Sequence, residues 1–349
     1  MRLVLDGKTA FEFWMSVARR PLAGRELEER GPAILSTFED FTCADLEEAF
    51  LKNGGVEGAI EAIVADPCER RQGKALVCRS LGHGRTLPSR SVLPIGAGLY
   101  VVAPELCVIR LAVQLPRLEF LRAFTDLLGI FCLSKLDRTN LISREPILTL
   151  TDMREFLDKV KGFPGTKLVR KALDWVVERS ASPRETTMNL LLRLPTRMGG
   201  YGLPSLEANY RFDLEGDAAY LTSKSYLVAD VAWPEANLVL EYNSSKHHDN
   251  EEQKEFDFDK ITAMQHMGKT VIPVSTRILN DYEAFSAVAR DVRNKLGIRN
   301  RSTEAMEQRR KETHEELMEL ERKHRDAANL IDTARWKFLI PRLFSDEEA

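Results

Sequence analysis

Cysteine is scarce in this chain of 349 residues: Cys43, Cys68, Cys78, Cys107 and Cys132 are all there is, none beyond position 132 and no two in C-x-x-C spacing. That excludes a disulfide framework and a cysteine-based zinc site, and it suits reduced, mostly buried thiols in a cytoplasmic protein. Long apolar runs are missing too. The greasiest stretch, 95–115, is broken by Pro104, Glu105 and Arg110, so no membrane span is expected. The first twenty residues carry Asp6 and no apolar core followed by a cleavage site, so no signal peptide is expected either. Positive charge is not in surplus: 50 Lys and Arg stand against 53 Asp and Glu, and residues 225–300 are themselves acidic on balance. This weighs against a protein that grips nucleic acid by backbone charge alone, although an acidic metal site lowers the balance of any nuclease. The length suits two domains, each with a core of its own.

What is present is concentrated in one run of 49 residues, Leu227 to Ser275. Two apolar segments, 226–233 and 238–242, flank Pro234-Glu235-Ala236-Asn237, whose Pro and Asn favour a turn, so a hairpin with a four-residue loop is expected. Closing it on that loop pairs Trp233 with Leu238, Ala232 with Val239, Val231 with Leu240, and Asp230 with Glu241. Opposed carboxylates on antiparallel strands repel unless something neutralises them. A divalent cation would do so, since Mg²⁺ is typically held by one or two carboxylates with waters and phosphate oxygens. A solvated acidic face, or a register slipped by one residue, are the alternatives.

Before this run, helices are expected over Lys8–Arg20, Phe38–Leu51, Val56–Val64, Pro104–Ala112, Pro116–Leu128, Asp152–Val160 and Thr166–Arg179, with short strands at Ala75–Cys78, Ser91–Pro94 and Leu99–Ala103. Arg79, His83, Arg85 and Arg90 lie between those strands and read as a solvated polar loop, with phosphate contact as the sharper alternative. Ser180-Ala181-Ser182 breaks the chain. Ser182-Pro183-Arg184-Glu185 then supplies an N-cap, a first-turn proline and a capping-box glutamate, so Glu185 has a structural explanation before any functional one. After the hairpin, Asp249–Met267 reads as a helix stopped at Gly268, and Val271–Val274 as a strand that Pro273 confines to an edge. A long charged helix, Thr303–Ile331, is too polar for a core; its narrow apolar stripe either packs on the chain or pairs with a second copy or a partner protein.

Asp230, then Glu241-Tyr242-Asn243, a histidine within Lys246-His247-His248, the helix through Asp257 and Lys260, Gly268 and the strand Thr270–Ser275 together resemble the Vsr-like branch of the PD-(D/E)XK endonuclease superfamily. The likeness covers roughly 182–296. It implies an α/β chain: an N-terminal α+β module (1–180), a restriction-endonuclease-like domain of mixed sheet flanked by helices (181–298), and a C-terminal helical extension (299–349). The layout of the first module weakly resembles abortive-infection regulators or antitoxins. Further, the resemblance implies an Mg²⁺- or Mn²⁺-dependent endodeoxyribonuclease with Asp230 and Glu241 on the metal, His248 aiding the attacking water or leaving group, and Glu185 facing the site. Asn243 departs from the pattern, standing where these relatives carry Asp and the wider superfamily its catalytic Lys. Lys246 or Lys260 is then the substitute cation, or else a solvated lysine. The alternative implied by Asn243 is a weak or inactive nuclease fold that binds DNA as a regulator.

Overall fold

A computed structural model describes residues 3–17, 59–71, 73–74, 76–82, 85–96, 99–133, 141–243 and 251–330. The chain is mixed α/β and divides into two compact units, one drawn from Met1–Leu127, Phe131–Leu173 and Lys323–Ala349, the other from Leu128–Ile130 and Asp174–Arg322.

The first unit is built on five strands, β1 (Leu3–Leu5), β2 (Ile60–Val64), β3 (Leu76–Ser80), β4 (Val92–Gly96) and β5 (Leu99–Val102), in the order β3-β2-β1-β5-β4. Helices α1 (Gly7–Ser16), α2 (Pro104–Gln114) and α3 (Arg117–Leu127) pack on one another, burying Trp14, Phe13, Phe120 and Phe124 completely or nearly so. A strand pair, β6 (Phe131–Leu133) with β7 (Leu141–Ser143), and the helices α4 (Leu150–Lys159) and α5 (Thr166–Ala172) complete it. Pairing corrects one expectation: residues 60–64 are a strand, not the end of a helix. Three of the five, Ile60, Ile63 and Val64, are β-branched and buried, and the strand finds partners on both sides in β1 and β3. Helix α5 is also shorter than expected. It stops before Trp175-Val176-Val177, and Arg179 then turns left-handed at φ 66. Arg79 is committed to Glu61 at 3.3 Å, and Arg85 to the Leu81 carbonyl at 3.1 Å, so these two do not stand ready for phosphate. The expected helix at Phe38–Leu51, together with His83, lies outside the described residues.

The second unit runs helix, three strands, helix, strand: α6 (Pro183–Arg193), β8 (Glu207–Asp213), β9 (Tyr226–Trp233), β10 (Leu238–Asn243), α7 (Glu251–His266) and β11 (Thr270–Ser275). The sheet order is β11-β10-β9-β8, with β8, β9 and β10 an antiparallel meander and β11 parallel to β10. A crossover carried by α7 makes that parallel neighbour accessible. Pro273 therefore lies in an edge strand, as its missing N–H requires. One apolar face, with Phe212, Leu227, Ala229 and Val239, packs on Ala263 and Met264 of α7. After β11 in the chain come α8 (Thr276–Asn280), α9 (Tyr282–Lys295) and the long α10 (Glu304–Leu330), which belongs to this unit as far as Arg322. Polarity suggested that this last helix lies on the surface, yet within the unit it buries Arg310, Thr313, His314, Leu317 and Glu321. His314 Nε2 bonds to the Leu279 carbonyl at 2.9 Å, Glu321 pairs with Arg184 at 2.9 Å, and Arg310 reaches Ser302 and Glu307 although its Nε has no partner. Among the described residues no helix is long and apolar enough to cross a membrane.

Candidate functional site

The hairpin sets the geometry. Pro234–Ala236 forms one tight turn, Asn237 takes the left-handed conformation at φ 49 that Asn tolerates, and its amide donates to the Pro234 carbonyl at 3.0 Å. The register follows: Trp233 faces Leu238, Ala232 faces Val239 and Val231 faces Leu240. The next step would set Asp230 against Glu241, and there the backbone ladder ends. Instead, the Tyr242 amide donates to Asp230 Oδ2 at 2.6 Å, so a side chain stands in for the missing backbone acceptor.

The other flank of β9 is interrupted at the same place. Pairing with β8 passes from Ala208↔Val231 to Tyr210↔Ala229, omitting the position where Asn209 would face Asp230. Asn209 has φ 50. On β9 the apolar cluster against α7 takes Leu227 and Ala229 before this point and Ala232 after it. Strict alternation cannot put odd and even positions on one face, so the strand turns over at Asp230. Asp230 thus sits half-buried at a position that has no ladder partner on either neighbouring strand.

Four carboxyl groups, of Asp230, Glu241, Glu185 and Asp257, and the Lys260 ammonium interact electrostatically here. Glu241 is only 4% exposed; Lys260 of α7 ion-pairs with its Oε2, while its Oε1 is buried and receives no hydrogen bond. Burial, then the neighbouring Asp230, pushes the Glu241 carboxyl up to about 8. Burial also raises Asp230 above the usual carboxylate range, against the pull of Lys260 and the Tyr242 amide. Glu185, 7% exposed at the start of α6, is pushed up to about 7 by burial and then by Asp230. Burial alone would lower the Lys260 ammonium, but Glu241, Asp230 and Asp257 together raise it.

Only half of the expected capping box forms: Ser182 caps the Glu185 amide, but the Glu185 carboxylate reaches past the Ser182 amide to that of Ala181. Ser182 Oγ accepts from the Glu185 amide at 3.2 Å and donates to Glu185 Oε1 at 2.9 Å, while Oε2 accepts from the Ala181 amide at 2.8 Å and from Asn209 Nδ2 at 2.9 Å. Ser182→Ala removes a cap and a donor to a buried carboxylate together, and should cost about 1–2 kcal/mol in a thermal melt.

Of the residues singled out in sequence, the fold brings Asp230, Glu241, Lys260 and Glu185 into one electrostatic cluster. Asn243 lies two residues beyond Glu241 on the same strand, at the register position of Ser275. Lys246, His247 and His248 lie outside the described residues. Among the described residues no three His, Cys, Asp or Glu side chains converge where they could hold a metal ion. Asn209 escaped the sequence reading. The clue was an Asn inside the strand Glu207–Asp213, since Asn is depleted in strands and tolerant of left-handed backbone. No protein family, no characterised protein and no solved structure matches the chain.

Proposed function

We propose that the second unit is a metal-dependent endonuclease that hydrolyses phosphodiester bonds in DNA, with Asp230 and Glu241 holding Mg²⁺ or Mn²⁺. The observation that carries the reading is Glu241 Oε1: a buried carboxylate oxygen without a hydrogen bond, beside the half-buried Asp230, is an acceptor that a cation would satisfy. These residues fit a hard cation that takes oxygen ligands, whereas a zinc site draws on His or Cys donors that the described residues do not bring to these acids. When bound, the cation would polarise the phosphoryl group and supply an activated water. The order of helix, three strands, helix and strand, with an acid on each of two adjacent strands, agrees with the resemblance to the Vsr-like branch.

In this reading Asp230 and Glu241 orient the cation, and the Tyr242 amide holds Asp230 in place. Lys260 contributes the positive charge that Asn243 cannot. Its ammonium stays protonated beside the acids and can meet developing negative charge on a phosphate. His248 keeps the role in proton transfer that the resemblance gives it. The first unit would act as a regulatory module, and the protein would work in the cytoplasm, where its cysteines stay reduced; the four described ones are free thiols.

Incubation with supercoiled, mismatched or single-stranded DNA in Mg²⁺ or Mn²⁺ should give nicks that vanish in Asp230→Ala. Cleavage that persists in that variant means the activity lies elsewhere. Glu241→Gln should abolish the metal-induced rise of about 2.7 kcal/mol expected at a hundredfold excess over Kd. One observation favours a second reading, a DNA-binding protein of nuclease fold without turnover: Lys260 already sits on a Glu241 oxygen, and Asn243 lacks a charge. Cleavage gained by Asn243→Asp would set that reading aside, whereas DNA retention without metal and no gain would favour it.

A further inference from the structure

We propose that Asn209 is a positioning residue of this acidic site: its left-handed backbone opens the sheet at Asp230, and its carboxamide fixes the Glu185 carboxylate beside that opening. The inference rests on the nuclease reading for its function, but not for its geometry. At φ 50 a glycine would be more at ease than any residue with a Cβ, so a turn alone does not call for Asn. What Asn adds is the side-chain amide. Asn209 Nδ2 donates to Glu185 Oε2 at 2.9 Å and to the Arg179 carbonyl at 2.8 Å.

Glu185 has two other donors, the Ala181 amide and Ser182 Oγ, and both belong to its own helix cap. Asn209 alone among the three comes from the sheet, 24 residues away in sequence. The capping glutamate is thereby tied to the strand position that faces Asp230, the one pair skipped by the β8–β9 ladder. A glutamate held only by its cap would serve α6; held also by Asn209, it is presented to the acids. Backbone and side chain of one residue thus set both partners: Asp230 is freed to accept from Tyr242, and Glu185 is locked next to it.

Two variants separate positioning from folding. Asn209→Gly keeps the left-handed backbone and deletes the carboxamide; Asn209→Asp keeps the shape, tolerates the same φ, and puts an acceptor where Glu185 needs a donor. In metal-free protein with ¹³C-labelled glutamate carboxyls, both should shift the Glu185 resonance and increase its side-chain mobility, while the melt of Asn209→Gly stays close to wild type. Mn²⁺ affinity, read by water-proton relaxation, should fall about tenfold in both, as for loss of other groups that orient ligands. Asn209→Gly placed on Glu185→Gln should add nothing further. An unmoved Glu185 resonance with unchanged Mn²⁺ affinity overturns the proposal, and so does a full additional loss on the Glu185→Gln background. If the wild type binds no Mn²⁺, the metal reading falls, and the resonance of Glu185 still decides whether Asn209 holds it.

Discussion

Lys260→Met should be destabilised by about 3–5 kcal/mol at pH 8, a fall of roughly 10 °C in melting temperature, and should be far less affected at pH 5. The ammonium is the cation paired with Glu241, and it also pulls down Asp230. Removing one member of a buried pair leaves the other's charge uncompensated, which costs more than the pair was worth. The pH dependence follows from the direction of the shifts. Glu241 is raised from its ordinary 4.5 to about 8, and Glu185 to about 7, so the folded protein holds these protons more tightly than the unfolded chain. Their contribution to stability is full below about 4.5 and is lost as pH climbs through 7 and 8. Without Lys260 the folded values of Glu241 and Asp230, the two carboxyls it pulls down, rise further, so the deficit opens as pH climbs past their wild-type values. Glu241→Gln in the Lys260→Met background should recover most of the loss, because it removes the orphaned charge. Millimolar Mn²⁺ should recover part of it too, by occupying the place of the ammonium. A flat difference between variant and wild type from pH 5 to 8 would show that Lys260 acts through packing and not through charge.

Gly199→Ala should cost about 4 kcal/mol or more and release α10 from the second unit. Gly199 has φ 82, and a Cβ there would lie 2.0 Å from Thr313 Oγ1 and 2.6 Å from the Arg309 carbonyl oxygen. The second of these is helix backbone and cannot swing aside. Thr313 Oγ1 donates to the Met198 carbonyl at 3.0 Å, and Arg309 to that of Arg197 at 3.1 Å, so the methyl group strikes the seam by which the helix is fastened. Gly216→Ala is the control: φ is 58 with nothing within 4 Å, and only the left-handed strain of about 1–2 kcal/mol remains. Hydrogen exchange should register the difference as loss of protection through Glu304–Arg322 in Gly199→Ala and not in Gly216→Ala. Equal melts for the two variants would mean that α10 adds little to the unit.

The parts of this architecture written locally were legible in the sequence. Pro234 to Asn237 announced a turn, closing the hairpin on that loop fixed the register from Trp233 to Val231, and Ser182 announced the N-cap of α6. Each depends on residues within a few positions of one another. Lys260 was harder, because its inward aim depends on how α7 rotates against the sheet, 19 positions from Glu241. Residues 60–64, expected as the end of a helix, are a strand because β1 and β3 supply partners from either side. The buried polar face of α10 read as a solvent face because its partners, Leu279 and Arg184, are remote in sequence. Asn209 was illegible for a different reason: a left-handed residue in mid-strand follows from the interruption at Asp230, which only the assembled sheet reveals.

That interruption also bears on how the molecule behaves in a crowd. A four-stranded sheet has two outer strands, and each bare row of amides and carbonyls is a template on which another chain can add and seed a fibril. Here β8 ends with exposed Glu207, Arg211 and Asp213 and is twisted in its middle by Asn209, while β11 carries Pro273, which has no amide to offer. Neither rim presents a long regular stretch to copy. The backbone irregularity that opens the acidic site therefore also keeps concentrated or partly unfolded chains from zipping together through this sheet.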